Sequence, residues 1–355
     1  MNDPERTIEF EFVRATENAA LNTLKWLGRG EKELADAAAC DAIQGVFDLV
    51  DIRGEVVIGE GIKDNAPGIF LGDKLGTWKE GAPKFDIALD PIDGTSNIAN
   101  GLPGSISVMA ASETHEGAPH TMRSIPTFYC QKLAFGPRVV QALEEGMEPF
   151  GLDTPLETML PLIAEALNKR VNELVVMTLN RPRHAELIAS IRKIGSALRL
   201  ITDGDIAAAV TPSLPDPSVD LYFGIGGAPE GVLSAAALKA LGGEMLLRMW
   251  PRDEEERRAV LQTTPAEDLD RTFQCDDLVH GDSAIFCATG ISHSSLVPGV
   301  RLVGGKAITH SILMRARSRT VRYIRAVHDL SAKTIHLRSD CGDHGLRENG
   351  FTTSR

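Results

Sequence analysis

An apolar run, Phe85-Asp86-Ile87-Ala88-Leu89, breaks off at Asp90-Pro91-Ile92-Asp93-Gly94-Thr95. β-type residues bounded by turn chemistry read as a short strand. Pro91 cannot donate to a ladder and pulls Asp90 out of helical geometry, while Gly94 lets the chain turn tightly. Two carboxylates three positions apart therefore stand at the open end of a strand, with the Thr95 hydroxyl two residues on. Neighbouring carboxylates repel, so keeping both ionised at neutral pH favours a cation between them. Hard oxygen ligands of this kind suit Mg²⁺ or Mn²⁺, and the amides of Gly94 and Thr95 can meet an anion that such a metal brings. The competing reading is an Asp-Pro turn and an Asp-Gly turn that merely end a strand, and the segment alone does not choose between them.

The 355 residues suggest two domains. Lys plus Arg number 37 against 49 Asp plus Glu, a net charge of −12. That balance argues against a nucleic-acid or anionic-membrane surface. Five scattered cysteines without a C-x-x-C pair suggest reduced thiols. The acidic N-terminus lacks a signal peptide's apolar core, and no run approaches a membrane span. The expectation is a soluble, cytoplasmic protein.

Helical spacing predicts helices over 4–27, with Asp3 as its cap, and over about 33–50. Asp36, near the start of the second, is in the place of a dipole partner. A strand at 55–58 ends in Gly59-Glu60-Gly61, where a ligand can approach the carboxylate closely or the glycines simply make a turn. Strands are expected over 105–111 and 128–135, with Tyr129 packing in the second, and a helix over 154–167 capped by Thr154. From Leu174 strands (about 174–179, 197–202, 219–225) alternate with helices (about 183–194, 204–210, 229–241), which predicts a second α/β unit with a boundary near 168–172. Arg181 and Arg183 flank Pro182 after the first of these strands. Two guanidinium groups on a rigid turn suit phosphate capture, though exposed arginines are common. His184 is read only as part of the helix start. Asp203-Gly204-Asp205 is equally an Asp-Gly turn with an N-cap. The stretch from Gly224 to Gly231 fails dinucleotide spacing, because Pro229 takes the third glycine's place. Pro229 instead opens a helix with Glu230 in its first turn. A charged helix near 253–262, a strand at 283–288, a hairpin of 308–314 with 320–327, and a last strand at 334–337 complete the pattern. The tail 338–355 is expected to be disordered.

D-P-I-D-G-T-S-N resembles the signature of the metal-dependent, lithium-sensitive sugar and inositol phosphatases. The whole chain resembles the class II, GlpX-type fructose-1,6-bisphosphatases within that superfamily. The matching pieces, in the family's order, are KWLGRGEKELAD (25–36), VVIGEGIKDNAP (56–67), the 86–95 segment, FYCQKL (128–133), RPRH (181–184), DGD (203–205), GIGGAPEG (224–231) and CATGI (287–291). The resemblance implies two α/β domains, at 1–170 and 171–337, each a mixed sheet with packed helices, stacked as a layered αβαβα fold. It makes Asp36, Glu60, Asp90, Asp93 and Glu230 ligands of two or three Mn²⁺ or Mg²⁺ ions, with Asp36 and Thr95 helping to activate water. It assigns the substrate to Asp93, Gly94, Thr95, Tyr129, Arg181, Pro182, Arg183, Asp203, Gly204, Asp205 and Gly227. It implies hydrolysis of the 1-phosphate of fructose 1,6-bisphosphate by a homo-oligomer, a dimer or tetramer. The family usually has glutamate where this chain has Asp93, and a further acid where it has Ile62; Asp64 stands nearby. Sedoheptulose 1,7-bisphosphate is an alternative substrate. An inositol monophosphatase is a rival that would not need the arginine pair. A non-catalytic metal- or sugar-phosphate-binding regulator is a third, against which retention of all five acids and Thr95 argues.

Overall fold

The computed structural model describes residues 3–59 and 68–339. In chain order the elements are α1 (Pro4–Thr23), α2 (Lys32–Phe47), β1 (Arg53–Ile58), β2 (Lys74–Leu75), β3 (Lys84–Asp93), α3 (Thr95–Asn100), β4 (Ile106–Thr114) and β5 (Tyr129–Phe135). There follow α4 (Pro137–Glu144), α5 (Leu156–Ala166), β6 (Val175–Leu179), α6 (Ala185–Ile194), β7 (Ala197–Ile201), α7 (Ile206–Val210), β8 (Leu221–Gly227), α8 (Ala228–Leu241) and β9 (Glu244–Trp250). The last are α9 (Glu254–Thr263), α10 (Ala266–Leu269), α11 (Cys275–Leu278), β10 (Ile285–Gly290), β11 (Arg301–Val303), β12 (Lys306–Arg315) and β13 (Thr320–Asp329). The fold is α/β, with two mixed sheets and their helices in two compact units. The first unit runs from the start of the chain to Thr121, takes in Ile285–Arg315, and resumes at Val321; the second is Met122–Ala284 with Ala316–Thr320. This differs from the division expected near residue 170. β5 pairs with β8 and β9, and β10 to β12 return to the first sheet. Strand partners far apart in sequence decide unit membership, and local periodicity does not encode them.

The first unit's sheet has the order β11-β12-β10-β4-β3-β1-β2, with β13 on β12. β1 and β3 run parallel, while β3, β4, β10 and β12 alternate antiparallel. α1 and α2 cover one face. Ile8, Phe12, Ala15 and Ala19 of α1 and Ala39, Ile43 and Phe47 of α2 join Phe85, Ile87 and Leu89 of β3 in one buried cluster. The Phe12 and Phe47 rings meet edge-on at 5.4 Å. Asp3 precedes α1 as expected but makes no capping bond, and its carboxylate pairs with Arg315 instead. The segment 334–337 is not a strand. It lies along the helices, with Ile335 buried among Leu21 and Ala42. Its closeness requires Gly45, whose added Cβ would stand 2.0 Å from the His336 carbonyl.

The second unit's sheet has the order β7-β6-β8-β5-β9. β6 is parallel to β7 and β8; β5 is antiparallel to β8 and β9. One face carries Leu133, Phe135, Val176, Leu221 and Phe223, buried against Val139 of α4, Met159 and Ile163 of α5 and Ile191 of α6. α8 packs on the other face, where Gly231 lies against Leu247 and Lys132. The expected cap at Thr154 is absent: α5 begins at Leu156, and the Thr154 hydroxyl accepts from the Gly151 N–H. β9, EMLLRMW, and α4 were not anticipated. Met and Leu carry little strand preference, and pairing along the whole of β5 makes β9 a strand. Among the described residues, no helix is long and apolar enough to cross a membrane.

Candidate active-site residues

The strand β3 does not stop at Asp90. It continues through Pro91 to Asp93, and its register against β4 shifts: Asp90 pairs with Val108 and Asp93 with Ile106. Three steps on β3 match two on β4, which defines a bulge at Asp90–Asp93. Side chains alternate faces along a regular strand, so residues three apart should point oppositely; the extra residue cancels that. Val108 and Ile106 share one face of β4, and so do their partners Asp90 and Asp93. Pro91 is tolerated because a bulged residue need not donate to the ladder. The Asp90 carboxylate accepts the Ile92 N–H at 3.0 Å. Gly94 follows with φ of 91°, a left-handed turn that leads into α3, and its carbonyl accepts from Ser105 Oγ at 2.8 Å. Thr95 is the first residue of α3 and half-buried.

Asp36, 7% exposed, lies in the second turn of α2. The loop that leads into α2 is tied to α3. Gly28 N donates to Ile98 O at 2.8 Å, and Gly30 N to Ala99 O at 2.9 Å. Gly28 and Gly101 abut, an added Cβ on either approaching the other's Cα at 3.6 or 3.3 Å. The first unit thus links the Asp36 helix to the element that follows Asp93. Glu60, with Ile62 and Asp64, lies outside the described residues.

The second unit holds the remaining candidates at the ends of β6, β7 and β8. Arg181 Nη2 donates to Asp203 Oδ1 at 3.1 Å. Pro182 opens a single tight turn, Pro182–His184. Arg183 donates from Nε and Nη2 to the Ile225 carbonyl at 3.1 and 2.8 Å, and its guanidinium lies 4.4 Å over the Tyr129 ring. Tyr129 also meets Phe128 edge-on at 4.7 Å. His184 is not merely a helix start. It is buried, and its Nε2 accepts the Ile225 N–H at 2.7 Å. Burial, with the Arg183 charge beside it, pushes its pKa down to about 4, so the ring stays neutral.

Asp205 and Glu230 also depart from their simpler readings. Asp205 precedes α7 but makes no capping bond. Its Oδ2 instead accepts from Lys132 Nζ at 2.8 Å and from the Tyr222 hydroxyl at 2.9 Å. Glu230 is in the first turn of α8, and burial raises its pKa, against the attraction of Lys132. Its Oε2 is buried with no hydrogen-bond partner among the described residues. The two carboxylates explain the glycine pair between them. A Cβ on Gly226 would fall 1.8 Å from Asp205 Oδ2, and one on Gly227 1.9 Å from Glu230 Oε2. Nearby Cys130 is pushed up to about 12 by burial and stays a thiol, which removes it as a nucleophile.

A desolvated carboxylate oxygen without a donor is suited to a cation, and carboxylate oxygens suit a hard divalent one. Glu230 fits that role. Among the described residues, no three or more His, Cys, Asp or Glu side chains are grouped closely enough to hold a metal. Asp36, Asp90 and Asp93 belong to the first unit and Glu230 to the second. Reading by segment missed Lys132, Tyr222 and His184. A lysine inside the apolar strand Cys130–Phe135 was the available signal, because such a residue must be paired when buried.

Residues 6–328 match the family model described as "Bacterial fructose-1,6-bisphosphatase, glpX-encoded". The chain belongs to that family, and so to the metal-dependent phosphatases that hydrolyse phosphate monoesters. It is 40% identical over 336 residues to the Haemophilus influenzae protein named "Fructose-1,6-bisphosphatase class 2", covering 92% of this chain and 97% of that one. It is 38% identical over 339 residues to the Escherichia coli K12 protein named "Fructose-1,6-bisphosphatase 1 class 2", with coverage of 92% and 97%.

Proposed function

We propose that this chain hydrolyses the 1-phosphate of fructose 1,6-bisphosphate, giving fructose 6-phosphate and phosphate. The observation that carries the reading is the bulge in β3, which turns Asp90 and Asp93 to one face directly before Gly94 and Thr95. Asp36, Glu60, Asp90, Asp93 and Glu230 would hold two or three Mn²⁺ or Mg²⁺ ions, which supply a bound water of lowered pKa and neutralise charge on the phosphate. Thr95 orients the attacking water, with Asp36 as the base beside it. The N–H groups of Gly94 and Thr95 hold the reacting phosphate. Arg181 and Arg183, set by Pro182, hold the distal phosphate. Arg181 pairs with Asp203 and Arg183 with the Ile225 carbonyl, and these bonds orient both guanidinium groups. Tyr129, Asp203, Gly204, Asp205 and Gly227 position the sugar. Fixing both ends of the substrate leaves the water in line for displacement.

The reading extends to a cytoplasmic homo-oligomer, a dimer or tetramer. Cys40, Cys130, Cys275 and Cys287 are buried, and none of these four described cysteines is in a disulfide, as suits a reducing compartment. Leu302, Val303, Tyr323 and Val327 on β11 and β13 expose apolar surface of the kind that subunits cover. Phosphate release measured with Mn²⁺ or Mg²⁺ on fructose 1,6-bisphosphate, sedoheptulose 1,7-bisphosphate and inositol 1-phosphate tests the function. The fructose substrate should give the highest kcat/KM. Preference for inositol 1-phosphate, or no release from any substrate, would overturn the reading.

A further inference from the structure

Lys132 is fully buried in β5, one strand in from the edge of the second sheet, opposite Gly224 of β8 and Leu247 of β9. An ammonium group inside a protein loses its hydration and must be paired, so its position calls for an explanation. The side chain stem runs along α8, 3.4 Å from where a Cβ of Gly231 would stand, one residue past Glu230. The head donates to Asp205 Oδ2 at 2.8 Å. The Tyr222 hydroxyl, 2.9 Å away, donates to the same oxygen. Two donors thus converge on one oxygen of Asp205, while Glu230 Oε2 has no donor among the described residues. The two acids lie on either side of the same glycine pair, Gly226 and Gly227, yet they are treated oppositely.

We propose that Lys132 is a positioning residue that commits Asp205 to the sugar and keeps it from becoming a metal ligand, leaving that role in this unit to Glu230. The inference rests on the sugar-phosphatase reading above. Its logic is one of competition. A divalent cation would draw any nearby ionised carboxylate, and an acid that swung toward it would abandon the hydroxyl it is meant to hold. A charge-assisted bond from a lysine with no access to water prevents the swing. Tyr222 adds direction, since a phenol on the same strand as Gly224 and Gly226 cannot follow the carboxylate if it turns.

The test uses Asp205→Asn, Lys132→Met, Lys132→Arg, Tyr222→Phe and Glu230→Gln in the full-length protein, with melting temperature as the check on folding. For each, KM and kcat are measured on fructose 1,6-bisphosphate, and Mn²⁺ binding to the metal-free protein is measured by calorimetry. Lys132→Met should raise KM roughly tenfold or more, with a smaller change in kcat. Its Mn²⁺ affinity should be equal or higher, since a cation has left the neighbourhood and Asp205 is released to ligate. Tyr222→Phe should shift KM the same way by a smaller factor, and carries the test if Lys132→Met does not fold. Lys132→Arg, which restores the charge, should recover part of the lost KM. Unchanged KM in both Lys132→Met and Tyr222→Phe would overturn the inference, as would a loss of Mn²⁺ binding as large as that of Glu230→Gln. If Asp205→Asn itself leaves KM unchanged, the assignment of Asp205 to the sugar falls, and this inference with it. If Asp205→Asn raises KM while Lys132→Met and Tyr222→Phe do not, only this inference falls.

Discussion

At the residue scale, the chemistry turns on how individual charges are paired or left for a ligand. Asp90→Asn keeps the shape of the side chain and its bond from the Ile92 N–H while removing the charge. Turnover should drop by at least about 100-fold with an unchanged circular dichroism spectrum; near-normal activity would rule out the metal assignment. The double variant Arg181→Ala/Arg183→Ala should raise KM for bisphosphates more than for monophosphates, since only the former offer a distal phosphate; an equal effect would contradict the clamp. His184 gives a pH signature. Its folded pKa, about 4, lies below the ordinary 6.5. A depressed pKa means the unfolded chain takes the proton first as pH falls. The stabilisation is complete above pH 6.5, declines as pH falls toward 4, and is flat below. It amounts to about 3 kcal/mol. Urea unfolding across that range should show the decline, and His184→Gln, whose amide oxygen can still accept the Ile225 N–H, should lack it.

At the scale of the element, two irregularities matter more than the regular strands around them. The β3 bulge rotates Asp93 onto the face of Asp90, and the end of β8 is stripped of Cβ atoms where acids from neighbouring elements lie. Gly226→Ala would press a methyl group into the Asp205 carboxylate. It should cost about 1–3 kcal/mol of stability and raise KM for the sugar, with urea unfolding and initial-rate kinetics as the measures. A stable variant with normal KM would show that Asp205 has room to move without consequence.

At the scale of the whole molecule, the chain closes the first unit by bringing its late strands back to its first helix. Arg315 of β12 donates to Glu5 at 3.1 and 2.8 Å and to Asp3 at 2.8 Å, across 310 or more residues of sequence. Glu5 is fully buried. Arg315→Met fills the volume but removes two hydrogen bonds and the paired charge from that buried carboxylate, and should destabilise by about 3–5 kcal/mol in urea unfolding. A loss under about 1 kcal/mol would mean that the acids find other donors.

Much of the fold was legible locally, because the signal is local. Ile8, Phe12, Ile43 and Phe47 repeat at helical spacing and are the residues buried on the first sheet, and the alternation after Leu174 named β6 to β8 and α6 to α8 within a few residues. β9 was illegible because Met and Leu do not announce a strand, and the return of β10 to β12 because a pairing partner such as β4, 174 to 184 residues before β10, leaves no mark on a short window. The candidate acids could be picked out by their turns and glycines. Their states could not: that two donors hold Asp205, that burial leaves Glu230 Oε2 with none, and that His184 stays neutral. The sequence by itself determined which residue types stand at the ends of which strands. Only the tertiary structure decided which carboxylates meet a lysine and which are desolvated alone, since burial and pairing depend on neighbours that the chain supplies from elsewhere.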